Sequence, residues 1–157
     1  MPVLYLSAPA RGIVDARHPL PDAFNRYFEG SAAVPKKYTF LAFTNPVEGK
    51  EDEFNQWYDE HHVIDVLNVP GHVSARRFRL SPTQFQFNTV TPTHRYLALY
   101  DIETDDIQGT LQEIVNRAGG ADMVMIDAID MSTLSAPVYE EITPTILAKD
   151  VLRPRRA

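Results

Sequence analysis

Trp57-Tyr58-Asp59-Glu60-His61-His62-Val63-Ile64-Asp65 holds the side chains of this chain best suited to acid–base chemistry. A neutral imidazole can take a proton from a substrate and return it at a pKa near working pH. A phenol can donate a hydrogen bond to a developing enolate oxygen. A carboxylate three or four residues further on can hold the imidazole in one tautomer. At 3.6 residues per turn, Phe54, Trp57, His61 and Ile64 share one helical stripe, which puts His61 in a core-facing position. Tyr58, His62 and Asp65 form the adjoining column, close enough for mutual hydrogen bonds. Each residue also has a plainer reading. His61 could fill core space bonded to a backbone carbonyl, and His62 could be a surface partner of Asp59 or Asp65. Tyr58 could be an amphipathic edge residue and Asp65 a solvated charge. A slight rotation of the helix would make His62 the inward base.

The same cluster is a poor metal site. Adjacent helical histidines diverge by about 100°, and metal-binding helices favour i, i+3 or i+4 spacing. No metal and no cofactor are expected. The chain has no cysteine, so disulfides, zinc–thiolate sites and thiol nucleophiles are excluded. It also lacks a phosphate-cradling glycine loop and a Gly-x-Ser-x-Gly elbow. The formal net charge of −6 and a pI near 5.3 argue against nucleic acid and anionic membranes as partners. No apolar run reaches the roughly 20 residues a bilayer span needs, and the first residues carry no convincing secretion signal. A cytoplasmic protein is the default expectation.

The elements that must position the cluster are readable from periodicity. Residues 3–6 suggest a short strand and 21–29 a short helix, with 30–35 as a linker. Residues 38–43 read as a strand ending at Asn45-Pro46. A helix opens at 49–52 and stops before Pro70-Gly71. Strict alternation over 72–80 predicts a strand, with Arg76 and Arg77 facing opposite sides. A polar loop over 81–92 leads to a strand over 94–102, with His94, Tyr96, Ala98 and Tyr100 on one face. A helix follows from Thr104-Asp105-Asp106 to Gly119-Gly120. Residues 123–129 are ambiguous, reading as a short helix or a turn. A last strand over 138–146 contains Pro144, an edge or bulge signal. The short likeness between residues 24–29 and 54–59 fits chance better than duplication.

The order over 37–148 is therefore β-α-β-β-α-β, an α+β fold with an antiparallel sheet. Helices on one face leave the other bare, and a second copy of the chain is the simplest cover. Asn45-Pro46, Gly49, Glu53-Phe54-Asn55, Trp57-Tyr58, His61-His62, Asp65-Val66-Leu67, Pro70-Gly71 and Ala75-Arg76-Arg77-Phe78 together resemble the EthD-like branch of the dimeric α+β barrel superfamily. The resemblance implies a ferredoxin-like domain that pairs face to face as a homodimer. It also implies a cleft for a small, often hydrophobic molecule between sheet and helices. Residues 1–36 form an N-terminal extension to that domain, an arm or lid, and residues 149–157 a basic tail.

The resulting expectation is cofactor-independent proton transfer, as dehydration, isomerisation or a lyase step, on a small hydrophobic, aromatic or polyketide-like molecule. His61 or His62 shuttles the proton, Tyr58 and Arg76 polarise an oxygen, and Asp65 orients the imidazole. Phe40, Phe54, Trp57, Tyr96 and Tyr100 supply the wall. A non-catalytic ligand-binding or stress-responsive dimer is the first alternative, and a cofactor-free monooxygenase the second.

Overall fold

A computed structural model describes residues 35–87 and 89–151 of the chain. The strand and helix expected within 3–6 and 21–29, and most of the basic tail, lie outside them. The chain runs β1 (Lys36–Thr44), α1 (Glu51–Trp57), a π-helical turn (Tyr58–His62), α2 (Val63–Leu67), β2 (His72–Arg79), β3 (Tyr96–Thr104), α3 (Ile107–Arg117), a short 3₁₀ turn (Met131–Thr133), β4 (Val138–Glu140) and α4 (Ala148–Val151). The four strands form one antiparallel sheet in the order β2-β3-β1-β4. This α+β arrangement is compatible with a ferredoxin-like fold. Among the described residues, no helix is long and apolar enough to cross a membrane.

Alternation along the strands decides which side carries the core. Ala42 and Thr44 of β1, and Tyr96, Ala98, Tyr100 and Ile102 of β3, are buried on the face that meets Phe54, Tyr58 and Val66 of the first helical run. Asp106 starts α3 as expected, its carboxylate accepting the Gly109 N–H at 2.8 Å. Gly71 turns the chain from α2 into β2 at φ +96°, a left-handed conformation that a side chain would strain. The other sheet face presents Leu41, Phe43, Leu97, Leu99 and Phe78, neighbours in the strand register.

Two boundaries differ from expectation. β3 begins at Tyr96 rather than 94, because Asn45 takes the preceding backbone for itself. Its side chain donates to the Thr93 carbonyl at 3.0 Å and accepts from the Arg95 N–H at 2.8 Å. His94 consequently lies off the Tyr96–Tyr100 face; its ring sits by Phe43 and bonds the Thr133 carbonyl at 2.6 Å. β4 is three residues long, pairing only with Tyr38–Phe40 at the sheet edge. Residues 123–129 form neither helix nor strand, and isolated bridges tie them to Ala118 and Pro46.

Candidate functional site

The long helix does not keep a 3.6-residue period. At Tyr58–His62 it widens to a π turn, in which the Val63 N–H bonds back to the Tyr58 carbonyl, five residues away. One extra residue per turn shifts every later position around the axis. Trp57 and His62, five apart, therefore stack face to face with ring centroids at 4.4 Å and planes at 21°. Tyr58 meets the same imidazole edge-on at 4.9 Å. In place of His61 and Ile64 the helix buries Tyr58 and Val66 and half-buries His62, whose Nδ1 is wholly buried. His61 is exposed and Ile64 is 52% exposed. The inward orientation read for His61 is thus corrected: His62 is the imidazole that turns inward. π turns of this kind recur at functional sites.

His62 opens onto a partly open, largely apolar cavity of about 260 Å³ between sheet and helices. Phe40, Ala42 and Thr44 of β1 and Tyr100 of β3 form its floor. Tyr58, His62 and Val66 close one side, and Ile114 and Val115 of α3 close another. Met123, Met125 and Met131 complete the wall, so three of the chain's four methionines line this space. Their thioethers adapt to ligands of irregular shape. The cavity exists because small residues meet at the centre of the sheet: Ala42 pairs directly with Ala98.

The polar atoms here are unusual. Among the described residues, the buried side-chain atoms without a hydrogen-bond partner are Thr44 Oγ1, His62 Nδ1, Tyr100 Oη and His72 Nε2. The first three belong to residues lining the cavity. Unsatisfied buried polar groups cost about 1–3 kcal/mol each, so three around one space is a feature of a binding site more than of a finished core.

Burial, then the positive charge of Arg77, lowers the His62 pKa to about 4. Burial and the neighbouring Tyr58 phenol push Tyr100 far above the ordinary tyrosine value, and burial also raises Tyr58. At neutral pH the site therefore holds a neutral imidazole and two protonated phenols. The His62 shift has a stability consequence of definite sign. Between pH 6.5 and about 4 the unfolded chain binds a proton at His62 that the folded chain does not, so stability is lost as pH falls through that window. The expected loss is roughly 2–3 kcal/mol. His72 is lowered too, by burial, and acts in the same direction. Urea denaturation at pH 7 and pH 4 should therefore show a smaller acid loss for His62→Gln than for the parent, with the His72 contribution common to both.

Other expected site residues are placed elsewhere. Asp65 is half-buried, and among the described residues no hydrogen bond joins it to either imidazole. Phe54, wholly buried, and Trp57 are core; the Trp57 indole donates to the Val124 carbonyl at 3.0 Å and backs His62. Tyr96 donates a short hydrogen bond to Glu51 and accepts one from Asn55 at 3.0 Å, outside the cavity. Arg76 faces the other side of the sheet and pairs with Asp101 at 3.2 Å. The inward guanidinium is Arg77, 15% exposed, lying 4.3 Å over the Tyr58 ring and ion-paired with Asp59. It also donates to Asn55 Oδ1 at 2.9 Å. Phe40, Tyr58, His62 and Tyr100 are the expected residues that the fold brings together.

Sequence reasoning missed Ala42, Thr44 and the methionines. Thr44 carried a signal: it is a hydroxyl at the inward end of the alternating series Tyr38, Phe40, Ala42, Thr44. A larger cleft of about 760 Å³ by Asn45, Glu48 and Arg95 offers less. It is open and charged, and Asn45 and Arg95 are already bonded to Thr93 and Glu51. Among the described residues, no group of three or more His, Asp or Glu side chains is placed to hold a metal ion.

What fold and site define together is an α+β domain with a partly open apolar cavity, edged by buried polar atoms that have no hydrogen-bond partner among the described residues. Comparison with family models, curated proteins and solved structures finds no match to this chain. The EthD-like resemblance accordingly rests on the residues that carry it.

Proposed function

We propose that the cavity binds a small, mainly hydrophobic molecule and that His62 exchanges a proton with it, without a cofactor. The observation that carries this reading is His62 Nδ1, buried and without a hydrogen-bond partner among the described residues, on the wall of the same cavity as the buried Tyr100 phenol, which neighbours the Tyr58 phenol. His62 takes a proton from carbon next to a carbonyl, the C–H electron pair becomes the enolate double bond, and the carbonyl oxygen gains the negative charge. The Tyr100 phenol donates to that oxygen in the role first given to Tyr58 and Arg76. Return of the proton to a different atom is an isomerisation. In a dehydration the enolate re-forms the carbonyl, its electron pair makes the Cα–Cβ double bond, and the β-hydroxyl leaves as water with the proton held on His62. An imidazole of pKa about 4 is a weak base, so the carbon acids it suits are already activated ones.

The test uses β-tetralone, whose benzylic α-protons are activated and whose two fused rings suit the cavity. In D₂O, NMR should show faster loss of those protons with the protein than in buffer at the same pH. No acceleration, with binding intact, would leave the alternative reading, a non-catalytic small-molecule-binding protein in the same cavity.

The proposal includes a cytoplasmic homodimer. The sheet face bearing Leu41, Leu97, Leu99 and Phe78, the last 46% exposed, is an apolar strip of the kind a second copy covers. Sedimentation should give a dimer for the parent chain and a monomer for Leu99→Arg; a monomeric parent would remove this part.

A further inference from the structure

We propose that the cavity selects an uncharged, elongated molecule of one or two rings bearing a polar oxygen at each end, with Tyr100 and His62 anchoring one end and Thr44 the other. This deepens the reading of the cavity as a small-molecule site and rests on it.

Size comes first. A cavity of about 150 Å³ takes benzene, while drug-sized pockets begin near 300 Å³; at about 260 Å³ this one fits a single or fused double ring.

Charge comes second. None of the described lining residues carries a formal charge. Arg77 does not line the cavity; it packs on the Tyr58, Phe54 and Tyr96 rings and is ion-paired with Asp59. An ion entering this space would shed its water without meeting a counter-charge. The depressed His62 pKa and the raised Tyr100 pKa agree with that: both groups resist charge in this surrounding.

Polarity at two ends follows from strand register. Tyr100 lies opposite Phe40 on β1, and Thr44 is four residues further along the same strand. Those levels are about 13 Å apart along the strand direction. His62 belongs with Tyr100, since Tyr58 touches both. Between the two levels the floor is Ala42, which offers no hydrogen bond and leaves room for a ring. Tyr100 and Thr44 are each 1% exposed, and neither hydroxyl has a partner among the described residues. Among the described residues nothing bonds the Thr44 hydroxyl, and valine has nearly the same shape. A hydroxyl left unbonded there, opposite a second unbonded hydroxyl across an apolar gap, matches a ligand with two separated oxygens.

The experiment compares 6-hydroxy-β-tetralone, β-tetralone and tetrahydronaphthoate by calorimetric titration. The two-oxygen ketone should bind about tenfold more tightly than β-tetralone, and the carboxylate about a hundredfold more weakly than either. In Thr44→Val the tenfold ratio should collapse toward one, because each ketone then has a single anchor, whereas in Tyr100→Phe both ketones should weaken together and the ratio should persist. Both variants remove an unpartnered hydroxyl, so folding is not at risk. A ratio of one in the parent chain, a ratio unmoved by Thr44→Val, or equal binding of the carboxylate would each overturn the proposal. The intended ratio without proton exchange would remove the proposed catalysis alone. Binding of neither ketone at millimolar concentration would remove both.

Discussion

His62→Ala is expected to slow the protein-dependent loss of β-tetralone α-protons by about 100-fold, the lower range for removing a positioned base. His61→Ala should leave the rate within about twofold. The contrast is the point. The two histidines are adjacent, and a helix of regular period would have sent His61 inward. The π turn at Tyr58–His62 sends His62 inward instead and stacks it on Trp57 at 4.4 Å. The alanine variant should still fold, because Trp57 and Tyr58 keep their own contacts, the indole with Val124 and the phenol ring with Phe54. It enlarges the cavity by the volume of an imidazole ring, so added free imidazole should restore part of the rate. Equal loss in both single variants would point to general damage and remove the specific role of His62.

Phe54→Ala is expected to have the largest effect on stability, about 3–5 kcal/mol. Phe54 is fully buried, with its ring 5.2 Å from both Tyr58 and Tyr96, and Arg77 lies 5.6 Å from its centroid. Three aromatic rings and one guanidinium thus share this packing, and each such contact adds roughly 0.5–1.5 kcal/mol beyond area burial. Removing the shared ring lets Tyr58 move, and Tyr58 supports His62. Urea denaturation should report the stability loss. Binding of β-tetralone should weaken in parallel. A loss below about 1 kcal/mol would contradict the placement of Phe54 at the centre of the core.

The element order was legible because alternation in 72–80 and 94–102 and the helix start at Thr104-Asp105-Asp106 are local signals. The paired sheet face was legible for the same reason, since Phe40, Ala42, Tyr96 and Tyr100 follow period two. The inward histidine was not legible. Periodicity assumes one helix type, and nothing in Trp57-Tyr58-Asp59-Glu60-His61-His62 announces a turn closed by a five-residue bond. The choice of Arg76 over Arg77 failed for a related reason: alternation shows that the two diverge, but only the packed Tyr58 ring and Asp59 show which side holds the helices. The three methionines became visible only once residues 123–136 were seen to line the cavity from a segment without regular strand or helix.

Chemical-shift mapping during titration with β-tetralone addresses the central claim most directly. Binding between sheet and helices against His62 predicts the largest changes at the His62 ring, the Thr44 and Tyr100 amides, and the methyls of Met123, Met125 and Met131, with His61 nearly unmoved. Changes confined to the charged cleft by Asn45 and Glu48, or to the Leu41–Leu99 face of the sheet, would contradict it.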